Sequence, residues 1–222
     1  MNKKKKQMLN KILNQNADIS YDICKTSSVS VKGRPDVQKF QAYIKTNYKN
    51  GKVLDLGCGP LAWPDYLPKE IAEPFGIDPK PSKFRGKFTQ CMAEELPFDS
   101  NSFDTVICAT SLDHMLDLGK AISEVSRTLS NNGRFVVWCN KDLTFKTKVK
   151  VSIKKHLNYI RPKYWQFDEG YVFEIPRGAV DPFHIEYIPP KKIIRWCVKY
   201  EMVKLHSEVY EGNLFLCFEK RR

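Results

Sequence analysis

No apolar run in this chain approaches the roughly 20 residues that a helix needs to span a bilayer, so no transmembrane segment is expected. The charged start Lys3–Lys6 is followed by Met8-Leu-Asn-Lys-Ile-Leu-Asn-Gln, too interrupted by polar residues to be a signal peptide's apolar core. A soluble, cytoplasmic protein is the expectation. The seven cysteines, at 24, 58, 91, 108, 139, 197 and 217, contain no CxxC pair. Their odd count, with several in strand-like apolar runs, predicts reduced buried thiols rather than a disulfide framework. Cysteines and the four histidines show no zinc spacing, so no metal site is expected. Acid is the scarcer charge, 25 residues against 37 basic ones, for a net charge of +12. That balance either serves solubility or attracts an anionic partner such as RNA, a phosphorylated substrate or a membrane surface.

What the chain does have is enough apolar residue for one substantial core. Its 222 residues are 42% hydrophobic and 12% aromatic, which fits a globular chain with room for an appended lid but hardly for two full domains. Met8, Leu9, Ile12 and Leu13 recur at helical spacing, and Val37, Phe40, Tyr43 and Ile44 form one apolar face of a second helix over 37–48. Strands are predicted at 52–56, 75–77, 88–92, 103–109 and 135–139. Between the last two, Leu118, Ile122, Val125 and Leu129 line a helix, with Gly133 as its stop signal. A helix near 191–199 and strands near 202–209 and 214–218 complete the series, the last two joined tightly through Glu211-Gly-Asn as an antiparallel hairpin.

The alternation predicts an α/β fold, a Rossmann-like doubly wound and mostly parallel seven-stranded sheet with a C-terminal antiparallel hairpin strand. N-terminal helices and a lid insertion are added to it. The expected division is an N-terminal helical cap over 1–48, a cofactor-binding core over 49–140, a basic and aromatic lid over 141–185, and the C-terminal part of the sheet over 186–222.

In the lid, Phe145, Val149, Ile153, Leu157 and Ile160 keep a helical step among many lysines, which predicts an amphipathic helix with a basic outer face. The lid is either a solvated basic face, a clamp on an anionic acceptor, or a surface resting on acidic lipid headgroups.

Val53-Leu-Asp-Leu-Gly-Cys-Gly-Pro joins a buried strand to a Gly-x-Gly turn, the junction where parallel sheets hold nucleotides. About 20 residues on, Gly76-Ile-Asp-Pro ends the next strand with Asp78, at the offset where an acid reaches a ribose diol. An ordinary Asp-Pro turn is the alternative. The series continues with Ala93-Glu-Glu-Leu-Pro-Phe-Asp-Ser-Asn-Ser-Phe-Asp104 and the helix from Leu116 to Gly133.

Taken in order, these motifs resemble a class I S-adenosylmethionine-dependent methyltransferase, and most of all the UbiE-like, type 11 domain. The resemblance covers residues 50–139 well and the rest in outline. It implies S-adenosyl-L-methionine as cofactor, with the Gly57-Cys58-Gly59 backbone facing its methionine part and Asp55 holding the ammonium directly or through water. Asp78 would take the ribose hydroxyls, Pro79 would pack near the adenine, and Ala93 with Glu94 would border the adenine edge. Ala109 and Thr110 would offer backbone to the methionine amine. Two departures stand out. Leu61 occupies the place of a third glycine, with Pro60, Pro64 and Pro68 nearby, so the first helix should be short or displaced. Met92 replaces the acid that often reads the adenine amino group.

Methyl transfer from a sulfonium is an in-line displacement, in which the protein positions the acceptor and, where needed, removes one proton. His114, after the fourth strand, suits a general base, or else packs at a helix start, with Asp113 as a cap. His184, in Asp181-Pro-Phe-His-Ile-Glu-Tyr, is the second candidate base, and Tyr187 and Trp165 are candidate substrate contacts, with Glu186 behind them. The leading reading is methyl transfer to a small-molecule or glycan acceptor, at oxygen. An RNA methyltransferase using the basic lid is the alternative, although Ala109-Thr-Ser-Leu is not the Asn-Pro-Pro-Tyr type of motif used on base amino groups. A non-catalytic cofactor-binding or regulatory subunit is the third reading.

Overall fold

Val53, Leu54, Asp55 and Leu56 are all buried, the pattern of a central strand covered on both faces. In the computed structural model they form β1 (Val53–Leu56), preceded by α1 (Pro35–Asn47). The structure describes residues 11–12, 15–16, 18–19, 33–160, 163–166, 172–177, 179–184 and 187–221. After β1 come β2 (Phe75–Asp78), β3 (Lys87–Gln90), β4 (Phe103–Ala109), α2 (Leu118–Thr128), β5 (Leu129–Asn140) and α3 (Phe145–Ile160). They are followed by β6 (Lys163–Gln166), β7 (Val172–Ile175), α4 (Pro190–Lys199), β8 (Met202–Tyr210) and β9 (Asn213–Lys220).

The chain divides into two units. One comprises Ser27–Lys141 and Pro189–Arg222, the other Met1–Thr26 and Asp142–Ile188. The first holds a seven-stranded sheet in the order β3-β2-β1-β4-β5-β9-β8. β1 pairs in parallel with both β2 and β4, Leu54 lying opposite Phe75 on one side and Val106 on the other. Only β9 runs against the rest, antiparallel to both β5 and β8. This is the expected doubly wound sheet with its C-terminal hairpin. Strand order reverses between β1 and β4, which places a topological switch point at their carboxyl ends.

The sheet is held by apolar layers that the helical faces anticipated. Phe40 of α1 lies 5.2 Å from the Trp138 ring and 5.1 Å from Phe215, and Tyr43 and Ile44 are buried beside them. The expected cap segment 1–48 is thus shared: α1 packs on the sheet, while residues 11–19 group with the second unit. On α2, Leu118, Ile122 and Val125 are buried as expected, but the helix ends at Thr128 rather than at Gly133. β5 begins at once because Leu129 pairs with Phe103 across a bulge, six residues before the expected strand start.

Between β1 and β2 the structure has turns and bends and no helix. Pro60, Pro64, Pro68 and Pro74 remove backbone donors along this stretch, which closes instead through local turns such as Leu67 N–H to Pro64 O (2.9 Å).

In the second unit α3 forms over the predicted residues, and β6 and β7 make an antiparallel pair that the sequence reading missed. Asn16 Nδ2 donates to Glu174 O and Pro182 O, both at 2.7 Å, tying Asn16 to β7 and the loop after it. The orientation of α3 corrects the expectation of a basic outer face. Phe145, Val149, Ile153, Leu157 and Ile160 are exposed, while Thr147, Val151 and Lys155 are half-buried and Asn158 is buried. Asn158 Nδ2 donates to Ala179 O at 3.0 Å, so a polar anchor and not the apolar stripe seats the helix. Met8, Leu9 and Leu13 of the expected first helix lie outside the described residues.

Candidate cofactor and catalytic site

The Gly-x-Gly turn after β1 is shaped by its glycines. Gly57 and Gly59 have φ of +78° and +68°, a region that side-chain-bearing residues rarely enter. A Cβ on Gly57 would stand 2.6 Å from Ser111 Cβ, whereas one on Gly59 meets no heavy atom within 4 Å. Gly59 is therefore where the loop leaves room for a ligand. The Gly57 and Cys58 amides both donate to Ile77 O (2.9 Å each), and the Gly59 amide donates to Asp78 Oδ2 (3.1 Å). Cys58 points its side chain inward against Gly76, and burial pushes its thiol far above the ordinary range.

Two buried carboxylates, Asp55 and Asp78, border this turn, and a third, Glu94, lies in the loop after β3. Asp55, wholly buried in β1, accepts from Tyr66 Oη at 3.0 and 2.9 Å through its two oxygens. Burial pushes its carboxyl up to about 7, against the pull of the Tyr66 hydroxyl and with the charge of Asp78 adding to the rise. The sequence reading gave Asp55 to the ligand ammonium and missed Tyr66, which sits in the irregular stretch where the family pattern places a helix. Asp78 closes β2, nearly buried, and accepts from the Lys80 amide (2.9 Å) as well as from Gly59. Its carboxylate thus belongs both to an Asp-Pro turn and to the glycine loop. Pro79 beside it is exposed, and its carbonyl accepts from Gln90 Nε2.

Ala93 and Glu94 follow β3 and are buried. Glu94 Oε1 accepts from the amides of Leu116 (2.8 Å) and Asp117 (3.1 Å), joining the loop after β3 to the loop after β4. Glu94 Oε2 is buried with no hydrogen-bond partner among the described residues. A buried carboxylate oxygen left in that state is costly unless a ligand donates to it.

At the end of β4, Ala109 is buried and Thr110 has φ of +54°, an outlier for a β-branched residue. Its amide donates to Trp138 O (2.9 Å). Ser111, another residue that sequence reasoning passed over, donates to Leu56 O (2.7 Å) and abuts Gly57, locking the two loops together. His114 ends a short 3-10 turn (Leu112–His114), about half exposed, with Nε2 3.8 Å from Asp113 Oδ1. Asp113 lies within that turn, and the capping role expected of it falls to Asp117, whose side chain accepts from the Lys120 amide.

The remaining candidates belong to the second unit. His184 Nδ1 is 2.8 and 2.9 Å from the two oxygens of Asp181, whose carboxylate also accepts from the amides of Phe183 and His184. Burial pushes the Asp181 carboxyl up, but His184 and these amides outweigh it and hold it below the usual carboxylate range. An imidazole held at one nitrogen by a carboxylate is fixed in orientation. Tyr187 Oη accepts from the Leu143 amide (3.0 Å) and donates to Asp142 Oδ1 (3.3 Å), so it braces the start of the insertion. Trp165 lies opposite Phe173 in the β6–β7 pair; its side chain, like Glu186, lies outside the described residues.

The residues around the turn fit S-adenosylmethionine. Gly59 opens onto free space, Asp78 stands at the ribose offset, Glu94 keeps a buried acceptor unused, and all three lie at the carboxyl edge beside the switch point. Fold and site together resemble a class I S-adenosylmethionine-dependent methyltransferase domain. Residues 54–137 match the family described as "Methyltransferase domain".

Among curated proteins the chain is 34% identical over 101 residues to the uncharacterized methyltransferase YcgJ of Bacillus subtilis, covering 39% of each chain. The match thus spans about two fifths of that relative's length. The crystal structure of YcgJ superposes with a TM-score of 0.60 at 16% identity, over 83% of this chain and 99% of that one. A Burkholderia thailandensis 1,6-didemethyltoxoflavin-N1-methyltransferase, solved with its substrate and S-adenosylhomocysteine, gives 0.61 at 14% identity, over 97% and 90% of the two chains. These structural likenesses are likenesses of fold.

Proposed function

We propose that the chain transfers a methyl group from S-adenosylmethionine to a hydroxyl of a small-molecule or glycan acceptor. The observation that carries the cofactor half is a glycine turn bordered by buried Asp55 and Asp78, whose second glycine faces open space, together with buried Glu94 in the loop after β3. Carboxylates placed so are expensive, and a cationic, hydroxyl-bearing ligand is what repays them. The Burkholderia neighbour acts on a small heterocycle, which supports a small acceptor.

When bound, the cofactor supplies an electrophilic methyl on a good sulfonium leaving group. The chain's part is to bind and to orient. Asp78 accepts from the ribose hydroxyls while keeping its bonds to the Gly59 and Lys80 amides, which fix its rotamer. Glu94 Oε2 accepts at the adenine edge, with Oε1 anchored on the amides of 116 and 117. Asp55, backed by Tyr66, supplies negative charge behind the turn. The preference for oxygen rests on the chemistry of the Asp181–His184 pair: an imidazole held at Nδ1 by a carboxylate is a group that could accept a hydroxyl proton, should the acceptor be presented to it. His114, whose Nε2 stands 3.8 Å from Asp113 Oδ1, ranks second.

Calorimetry with S-adenosylmethionine and transfer of labelled methyl to a panel of hydroxylated and amino acceptors test this. Asp78→Asn should weaken cofactor binding by about 1–3 kcal/mol, the scale of lost charge-assisted hydrogen bonds. Absence of binding at millimolar cofactor overturns the proposal, and methylation confined to amines overturns the assignment to oxygen.

A further inference from the structure

Helix α3 is built the wrong way round for a helix that only needs to cover its own unit. Over its 16 residues, Phe-Lys-Thr-Lys-Val-Lys-Val-Ser-Ile-Lys-Lys-His-Leu-Asn-Tyr-Ile, it carries five lysines and no acid. The residues turned inward are Thr147, Val151, Lys155 and Asn158. Those turned outward are Phe145, Val149, Ile153, Leu157 and Ile160, at 81, 40, 55, 47 and 61% exposure. At 3.6 residues per turn these five fall within about 120° of the helix circumference and run along about 24 Å of axis. Lys150 and Lys154 border the stripe on one side and Lys148 on the other, while Lys146 and His156 fall within its arc, all of them exposed. A largely aliphatic face, interrupted by Lys146 and His156 and rimmed by further lysines, is left facing water.

We propose that α3 is an interfacial helix that lays this face into the surface of a bilayer containing anionic lipid. Branched aliphatic side chains and one phenylalanine suit the acyl boundary, and lysine stems can lie along it while their ammonium groups reach phosphate. Charge decides against the other occupants. A second copy would set five lysines against five with no acid on the helix to meet them. A nucleic acid would meet the lysines, but its bases stack on aromatic faces, and this stripe is aliphatic but for Phe145. Among the described residues no helix is long and apolar enough to cross a membrane, so the contact is one of lying on the surface. The inference uses none of the residues assigned to methyl transfer.

The test is co-sedimentation of the full chain with vesicles of phosphatidylcholine and phosphatidylglycerol in equal parts, against vesicles of phosphatidylcholine alone. Binding should favour the mixed vesicles at least about tenfold and weaken with added salt. Ile153→Ser and Leu157→Ser should each cost about tenfold, the affinity equivalent of one buried aliphatic side chain. The pair Lys150→Glu and Lys154→Glu should abolish the preference for anionic vesicles. All four side chains are exposed, so melting temperatures should hold, and a soluble variant that melts like the parent keeps the comparison valid. Equal binding to both vesicles, no binding to either, or indifference to Ile153→Ser overturns the proposal. So does a dimer dissolved by Ile153→Ser, which would assign the face to a second copy. Retention on total RNA that ignores Ile153→Ser but is lost with the lysines overturns it in favour of nucleic acid.

Discussion

Gly57 and Gly59 share a left-handed backbone but have opposite surroundings, so the same substitution should fail for different reasons at the two sites. At Gly57 an alanine Cβ would stand 2.6 Å from Ser111 Cβ and 2.7 Å from its Oγ, where carbon contacts normally settle at about 3.5–4.0 Å. Ser111 cannot swing aside cheaply, because its hydroxyl donates to Leu56 O at 2.7 Å and contacts Cys108 Sγ at 3.1 Å. The left-handed backbone costs about 1–2 kcal/mol for a residue with Cβ, and a broken buried hydrogen bond about 1–3 kcal/mol more. Gly57→Ala should therefore destabilise the fold by about 2–5 kcal/mol. At Gly59 the added Cβ meets nothing, so only the backbone term remains, offset by the smaller entropy of the unfolded chain. Gly59→Ala should cost about 1 kcal/mol of stability yet weaken S-adenosylmethionine at least about tenfold, because the methyl fills the ligand's approach. Denaturant unfolding and calorimetry on the two variants read both quantities. Equal destabilisation, or unchanged cofactor affinity in Gly59→Ala, would refute the division of the turn into a packed glycine and a ligand-facing one.

Three further outcomes follow from the carboxylates and the strained strand end. Asp55 has a folded pKa of about 7 against 3.8 for the free group, so between those values the folded state binds the extra proton and stability falls as pH rises. Asp55→Asn should flatten that fall, worth up to about 4 kcal/mol between pH 4 and 8, in unfolding curves taken across the range; a parent whose stability rises over that interval contradicts the burial argument. His184→Gln should lower turnover by about 10²–10⁴-fold while cofactor affinity holds, with Asp181→Asn following in the same direction, and a loss confined to cofactor binding would remove the pair from proton transfer. Thr110→Gly, which relieves a β-branched residue at φ +54°, should stabilise the fold by about 1 kcal/mol by thermal unfolding; destabilisation would show that the side chain is needed there.

The sheet was legible in the sequence because its signals are local and mutually consistent. Val53–Leu56, Phe103–Ala109 and the apolar face of Leu118, Ile122 and Val125 each state burial in their own spacing, and the structure buries them. Asp78 and the two glycines were legible because their offset is set by the length of one strand-loop-strand unit. What escaped are residues defined by long-range contact. Tyr66 reads as one aromatic in a proline-rich stretch until the chain returns it to Asp55, and Ser111 reads as a loop serine until it meets Gly57. Periodicity placed α3 correctly but could not tell which face turns inward, since a helical repeat fixes relative and not absolute orientation. The start of β5 was missed because Ser130-Asn-Asn-Gly looks like a turn, and only pairing with β4 recruits it.

The missing first helix bears on which nucleotide this turn accepts. In dinucleotide sites the glycine turn opens a helix whose N-terminal amides and dipole hold a pyrophosphate. Here residues 57–74 form no helix, and the amides of Gly57, Cys58 and Gly59 are spent on Ile77 O and Asp78. The turn therefore offers a phosphate neither a dipole nor a nest of donors. It offers instead the buried carboxyl groups of Asp55 and Asp78, in a chain whose net charge is +12. The sign of the site opposes the sign of the whole protein, so the acid there is not a by-product of composition. A diphosphate brought to this edge would face like charge at short range, whereas the sulfonium and ammonium of S-adenosylmethionine would lower the cost of keeping Asp55 and Asp78 ionised. The prolines that remove the helix thus do for specificity what a third glycine does not: they withdraw the anion site.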